Sequence, residues 1–178
     1  MVAMTRVLGS GRTLLVAVGL FFVGLLVHES AHLAVLHLIG SQGSLIVRPW
    51  QFATIDVTLP SLHVQPNPPL DTLRQAIMNF SGPAIAAALF AVALWWIRDP
   101  DLQLAVAANV SILVFFALIE TAYVLLWAAF RIDAEILVTP EFNYGVPLLI
   151  ILIAAGSRAL KPPVQLARSR GSTASSGA

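Results

Sequence analysis

Apolar residues run almost unbroken through four stretches of the chain, and polar or proline-rich segments separate them. The first runs from about Thr13 to Ile39, roughly 27 residues or ~40 Å as a helix, enough to cross a bilayer with some tilt. Gly40 follows it as a stop signal. The second runs from about Leu73 to Ile97, with Asp71 as N-cap and Trp95 and Trp96 at its far end, where an interfacial aromatic belt is expected. Arg98-Asp99-Pro100-Asp101 makes a tight polar turn, and the third stretch covers about Leu102 to Phe130. The fourth, about Phe142 to Ala155, contains Pro147 and is short for a full crossing.

Ser41 to Pro69 has a different texture. Leu45-Ile46-Val47, Trp50-Gln51-Phe52 and Thr54 to Leu59 are short, β-prone and partly alternating. Pro49 interrupts them, and Pro60, Pro66, Pro68 and Pro69 close them. Two or three short strands are expected, as a hairpin at or dipping into the membrane surface. Its exposed edge could pair with an extended peptide, and the simpler reading is an ordered surface loop. The basic start before Leu14–Val27 has the outline of a secretory signal. The apolar pattern continues past it to Ile39 without a small-x-small cleavage site, so a spanning helix is expected instead. The predicted architecture is an all-α membrane protein of about four transmembrane helices, with a small β-hairpin between the first and second. A polar segment (1–12) precedes a helical domain (13–160, β-rich over 44–65), and a disordered tail (161–178) follows.

Composition agrees with this class. The chain has 178 residues, 58% of them hydrophobic and 11% charged. A soluble domain of this size needs far more charge on its surface. The absence of cysteine excludes disulfides, thiolate nucleophiles and Cys-ligated zinc, and a net charge of +1 implies no nucleic-acid partner. With four crossings, Arg6, Arg12, Arg98, Arg158, Lys161, Arg168 and Arg170 share one side, against Arg48, Arg74 and Arg131 on the other. That imbalance puts both termini in the cytoplasm and the C-terminal half of the first helix toward the outer face.

The feature that composition does not explain is His28-Glu29-Ser30-Ala31-His32, a H-E-x-x-H pattern inside the first apolar stretch. At this His and Glu content, such a pattern arises by chance about two times in a thousand. On a helix, residues four apart share a face, so His28 and His32 can grip one metal ion, with Glu29 placed to take a proton from water. Ionisable groups at this depth are costly unless something uses them. Catalytic zinc takes three protein ligands, so another element must supply the third. His37, nine residues after His28, falls about 180° around the helix and reads as a packing or interface residue. His63 belongs to the hairpin region and is expected to be exposed, unless a mobile loop brings it closer. Two acids remain open as candidates. Asp133 lies at the end of the third span, and Glu120 is deeper in it, closer to the depth of His28.

These residues resemble the site-2 protease family of intramembrane zinc metallopeptidases, in particular its small, divergent branch. The likeness covers roughly residues 14 to 140. His28-Glu29-Ser30-Ala31-His32, followed by Leu38-Ile39-Gly40 and a β-rich segment, is similar to the family's zinc motif. Asp71-Thr72-Leu73-Arg74-Gln75-Ala76 leading to Ser81-Gly82-Pro83 resembles its next core helix. Asp133-Ala134-Glu135-Ile136-Leu137 resembles the segment that carries its third ligand. The family's Asn- and Pro-rich lead-in and its Asp-Gly pair are absent here, and Asp-Ala stands there as in divergent members. The resemblance implies zinc held by His28, His32 and Asp133, with Glu120 as the alternative, and Glu29 as general base. It implies a contact from Asn79 to the substrate, and a helix shaped by Gly82 and Pro83 facing the site. The expected partners are membrane lipid and a transmembrane protein or peptide substrate. The family's site lies toward the cytosol, opposite to the charge count. Two further readings are a pseudoprotease that holds a membrane partner without cutting it, and a structural or transport subunit using the polar groups as helix glue or a conduit.

Overall fold

A computed structural model describes residues 2–52 and 57–160. The order is α1 (Val2–Leu38), β1 (Gly43–Gln51), β2 (Thr58–Pro66), α2 (Thr72–Ala93), α3 (Pro100–Phe130), a 3-10 turn (Glu135–Val138) and α4 (Pro140–Leu160). Four helices are long and apolar enough to cross a membrane, as the apolar pattern predicts, and a two-stranded antiparallel hairpin lies between the first two.

The ends of the helices differ from the sequence reading in ways that local chemistry explains. α1 begins at Val2: no proline lies between Val2 and Thr13, Gly9 and Gly11 weaken a helix without ending it, and a helix need not stop where hydropathy falls. The segment 1–12 is therefore helical from Val2 onward. α2 stops at Ala93, short of Trp95 and Trp96, which lie exposed in the following turn. Asp71 caps its start as expected, accepting from the Arg74 N–H at 2.9 Å. α4 starts at Pro140, where a missing N–H costs nothing, and runs 21 residues, long enough to cross despite Pro147. The tail from Lys161 lies outside the described residues.

The hairpin departs most from expectation. Its second strand is Thr58–Pro66, so Pro60 lies within it and does not close it, while Pro66 is its last residue. Thr54-Ile55-Asp56 lies outside the described residues. Prolines fit because each strand of a two-stranded ribbon has a free edge. Pro49 faces Pro60 across the ladder, and neither has an N–H to exchange. The 49/60 pair is thus a non-hydrogen-bonded one, and by alternation so are 47/62, 45/64 and 43/66. The flanking bonds Asn67 N–H to Gln42 O and Phe52 N–H to Val57 O have the complementary phase. The N–H and C=O groups of Leu62 and Val64 therefore point away from β1.

The helices alternate in direction. Arg12 at the start of the α1 span pairs with Asp99 at the start of α3, at 2.8 Å, so those two helices run parallel. The hairpin, the start of α2 and the end of α3 share the opposite end of the bundle. Inside, α1 and α3 pack closely through Ala17, Ala105 and Ile112, and small residues permit that approach. Asn109, 1% exposed, donates from Nδ2 to Ala17 O at 3.0 Å and to Ala105 O at 2.9 Å, tying the two helices. Asn109→Ala should lower stability by about 1–2 kcal/mol, read from refolding out of denaturing detergent.

Candidate metal centre

His28 and His32 come from successive turns of α1 and face α3. They are 2% and 4% exposed. His28 lies ten residues before the end of α1, and Glu120 lies ten before the end of α3. Parallel helices of equal remaining length put these residues at one level, ~15 Å below the hairpin end of the bundle. The Glu120 carboxylate reaches both rings, 3.4 Å from His28 Nε2 and 3.3 Å from His32 Nε2, and the two Nε2 atoms are 2.6 Å apart. Among the described residues, His28, His32 and Glu120 form the one cluster of three such donors close enough to share a metal ion.

The donor set suits zinc. Two imidazole nitrogens and a carboxylate oxygen are a known catalytic combination, and ligand atoms around tetrahedral zinc lie roughly 3.3 Å apart. The two N–O separations match that spacing, and the N–N separation is shorter. His32 also has the outer support that metal-binding histidines need: Nδ1 donates to Met78 O at 2.8 Å, which leaves Nε2 without a proton. His28 Nδ1 is buried with no hydrogen-bond partner.

α2 holds this arrangement through residues singled out in the sequence. A Cβ at Gly82 would overlap the His32 ring, so only glycine lets the two helices approach this closely. Pro83 is fully buried beside it and removes the N–H that the Asn79 carbonyl would otherwise receive. The Asn79 side chain is occupied within the protein. Its Nδ2 donates to the Glu120 carbonyl at 3.1 Å, and its Oδ1 accepts from Gln75 at 2.7 Å. Asn79 thus fixes the turn of α3 that presents Glu120.

Asp133 is not brought to this cluster. α3 stays helical through Phe130, so Asp133 lies beyond the helix end while His28 and Glu120 are ~15 Å down the bundle. Its carboxylate is exposed and accepts from the Glu135 N–H at 3.1 Å, capping the 3-10 turn. It lines a separate concavity with Arg131, Trp127 and Glu135. The ring of His37 is also apart, bonding Leu33 O on the exposed face of its own helix.

Glu29, 8% exposed, points into the same space, and its Oε2 accepts from the outward-pointing Val64 N–H of β2 at 3.1 Å. The Tyr144 hydroxyl of α4 donates to Pro60 O on the same edge at 3.4 Å. The result is a cavity of about 420 Å³ over the cluster, roofed by Pro60–Val64 and walled by Phe21, Phe22, Phe116 and Tyr144. His63 lines it too and is half-buried, where the sequence reading expected exposure unless a mobile loop brought it closer. Strand alternation puts it on the same face as Ser61, which is 5% exposed, a phase that only the structure fixes. Burial, with Arg48 nearby, lowers the His63 pKa, and Glu120 opposes the shift.

Comparison with known protein families, with curated proteins and with solved structures returns no match.

Two outcomes are expected by metal analysis of purified protein. Glu120→Ala should lose bound zinc, as His28→Ala does, while Asp133→Ala retains it. Gly82→Ala should weaken zinc binding about 10- to 100-fold by displacing the His32 ring, measured by competition with a chelator.

Proposed function

We propose that this chain is an intramembrane zinc metallopeptidase, hydrolysing a peptide bond in or near a substrate's transmembrane segment. One observation carries the reading: His28, His32 and Glu120 converge at membrane depth with Glu29 beside them, inside a cavity large enough for a peptide. The motifs that resemble the site-2 protease family support it, with Glu120 in the place that the resemblance gave to Asp133.

His28, His32 and Glu120 would hold the zinc. A bound zinc ion supplies Lewis acidity, lowering the pKa of water toward ~7 and polarising a carbonyl. Glu29 lies outside the ligand set, so its carboxylate is available to take a proton from the attacking water and pass it to the amine that leaves. Its second oxygen is steadied by the Val64 amide, so one oxygen orients and the other reacts. Asn79 keeps Glu120 in position instead of touching substrate. The aromatic walls accept apolar side chains, as expected for a transmembrane segment.

The hairpin supports the idea of an extended substrate. A helical peptide hides its amides, and a protease must unwind it before cutting. The Leu62 N–H and C=O lie on the β2 edge that faces the cavity, between the two groups already bonded to Tyr144 and Glu29. A substrate strand laid along this edge would run past Glu29. The positive-inside imbalance supports cytoplasmic termini, with the cavity opening toward the opposite face.

Glu29→Gln should retain zinc and abolish cleavage of a transmembrane-peptide substrate, a loss of about 100-fold or more in kcat. Zinc-loaded Glu29→Gln that still cleaves at the wild-type rate refutes the peptidase assignment. A wild-type chain without stoichiometric zinc favours the structural or transport reading.

A further inference from the structure

The mechanism above leaves the imidazole that the hairpin brings to the cavity without a task. His63 lies on β2, immediately before Val64, whose amide is bonded to Glu29 at 3.1 Å. That N–H belongs to the peptide unit joining the two residues, so the His63 Cα is tied to within a few ångströms of the general base, roughly 2.4 Å from the bonded nitrogen. An imidazole extends ~4.5 Å from its own Cα, enough to reach a group lying between β2 and the metal ligands. The ring and the ligands line the same cavity. His63 is too far from the three ligand atoms to join their cluster, so it is not a fourth ligand.

The ring is also held. Ser61 Oγ and His63 Nε2 are 2.8 Å apart, and Ser61 is buried. A serine two residues away on a strand shares the face of the histidine, so this bond sets the ring's rotation. When the hydroxyl donates to Nε2, the ring proton of the neutral imidazole resides on Nδ1, which makes that nitrogen a donor. Burial and the Arg48 charge favour that neutral form. Arg48 is itself engaged, its Nη2 donating to Gln65 Oε1 at 2.9 Å on the same face.

We propose that His63 is a further catalytic residue of this site, hydrogen-bonding the oxygen of the carbonyl under attack, with Ser61 as its positioning residue. The inference rests on the peptidase reading. In the step it serves, the water oxygen forms a bond to the carbonyl carbon and its proton goes to Glu29. Charge gathers on the former carbonyl oxygen, where His63 donates a hydrogen bond. The carbon–nitrogen bond then breaks, and the proton on Glu29 goes to the amine. His63 begins and ends the cycle neutral. An oxyanion donor carried by the strand that would pair with substrate places recognition and charge stabilisation on one element. A peptide bond out of register on β2 would miss the donor.

The test uses the full-length, zinc-loaded protein in lipid nanodiscs with a fluorogenic transmembrane peptide. His63→Ala should lower kcat about 100-fold, leave KM within about threefold and keep zinc at the wild-type stoichiometry. His63→Gln, which keeps an N–H donor, should recover about tenfold of that loss. Binding of a phosphinic peptide, whose charged oxygens imitate the tetrahedral stage, should weaken in His63→Ala by about the same factor as kcat. A kcat for His63→Ala within about threefold of wild type overturns the assignment and leaves the peptidase reading standing. Zinc lost in step with activity overturns it too, by making the role structural. A wild-type chain that holds zinc yet leaves the peptide intact, and does not bind the phosphinate, removes the peptidase reading and this inference together.

Discussion

Polar atoms buried at the depth of a bilayer must find partners inside the protein, because lipid offers none. Here two imidazoles and two carboxylates meet at one level, and much of the bundle is arranged to satisfy them. α3 must run parallel to α1 for Glu120 to meet the histidines. α2 must pass close to α1 for Met78 O to receive His32 Nδ1, and Gly82 makes that possible by presenting no side chain. The hairpin must fold back over the bundle for an amide to reach Glu29. The Arg12–Asp99 pair and Asn109 fix the vertical registry of α1 against α3 at two lower levels. A shift of one helical turn between them, about 5.4 Å, would separate Glu120 from the rings.

The same elements show what the sequence could and could not tell. Membrane spans are legible because hydropathy acts residue by residue over long windows, and the His28/His32 pair is legible because helical spacing is local. The hairpin was visible as β-prone texture, but not its reach. Pro60 reads as a terminator when judged singly, and only its pairing with Pro49 shows why a strand admits it. Glu120 was in view as a candidate, and counting ten residues back from each helix end would have favoured it. The resemblance tipped the choice to Asp133, since a short motif says nothing about depth. His63 was missed because a strand of uncertain phase does not reveal which face its side chains take.

Asn79 shows a related lesson about roles. Its place on the helix facing the site suggested a hand for the substrate, yet both ends of its amide are committed to Gln75 and to the Glu120 backbone. An amide within a membrane bundle is more economically used to hold a neighbouring helix than kept open. The cavity is left with few polar side chains that can act on a ligand, and those few come from α1, α3 and β2.

The proline pair has a consequence for fidelity. A two-stranded ribbon is prone to slip, and a slip of one residue turns every side chain and every amide of one strand to the opposite side. In this hairpin such a slip would move one of the two prolines, Pro49 or Pro60, into a position where the ladder demands an N–H that it does not have. Odd registers are thus excluded by covalent chemistry instead of by packing. The two rings act as a phase lock that keeps the Val64 amide aimed at Glu29.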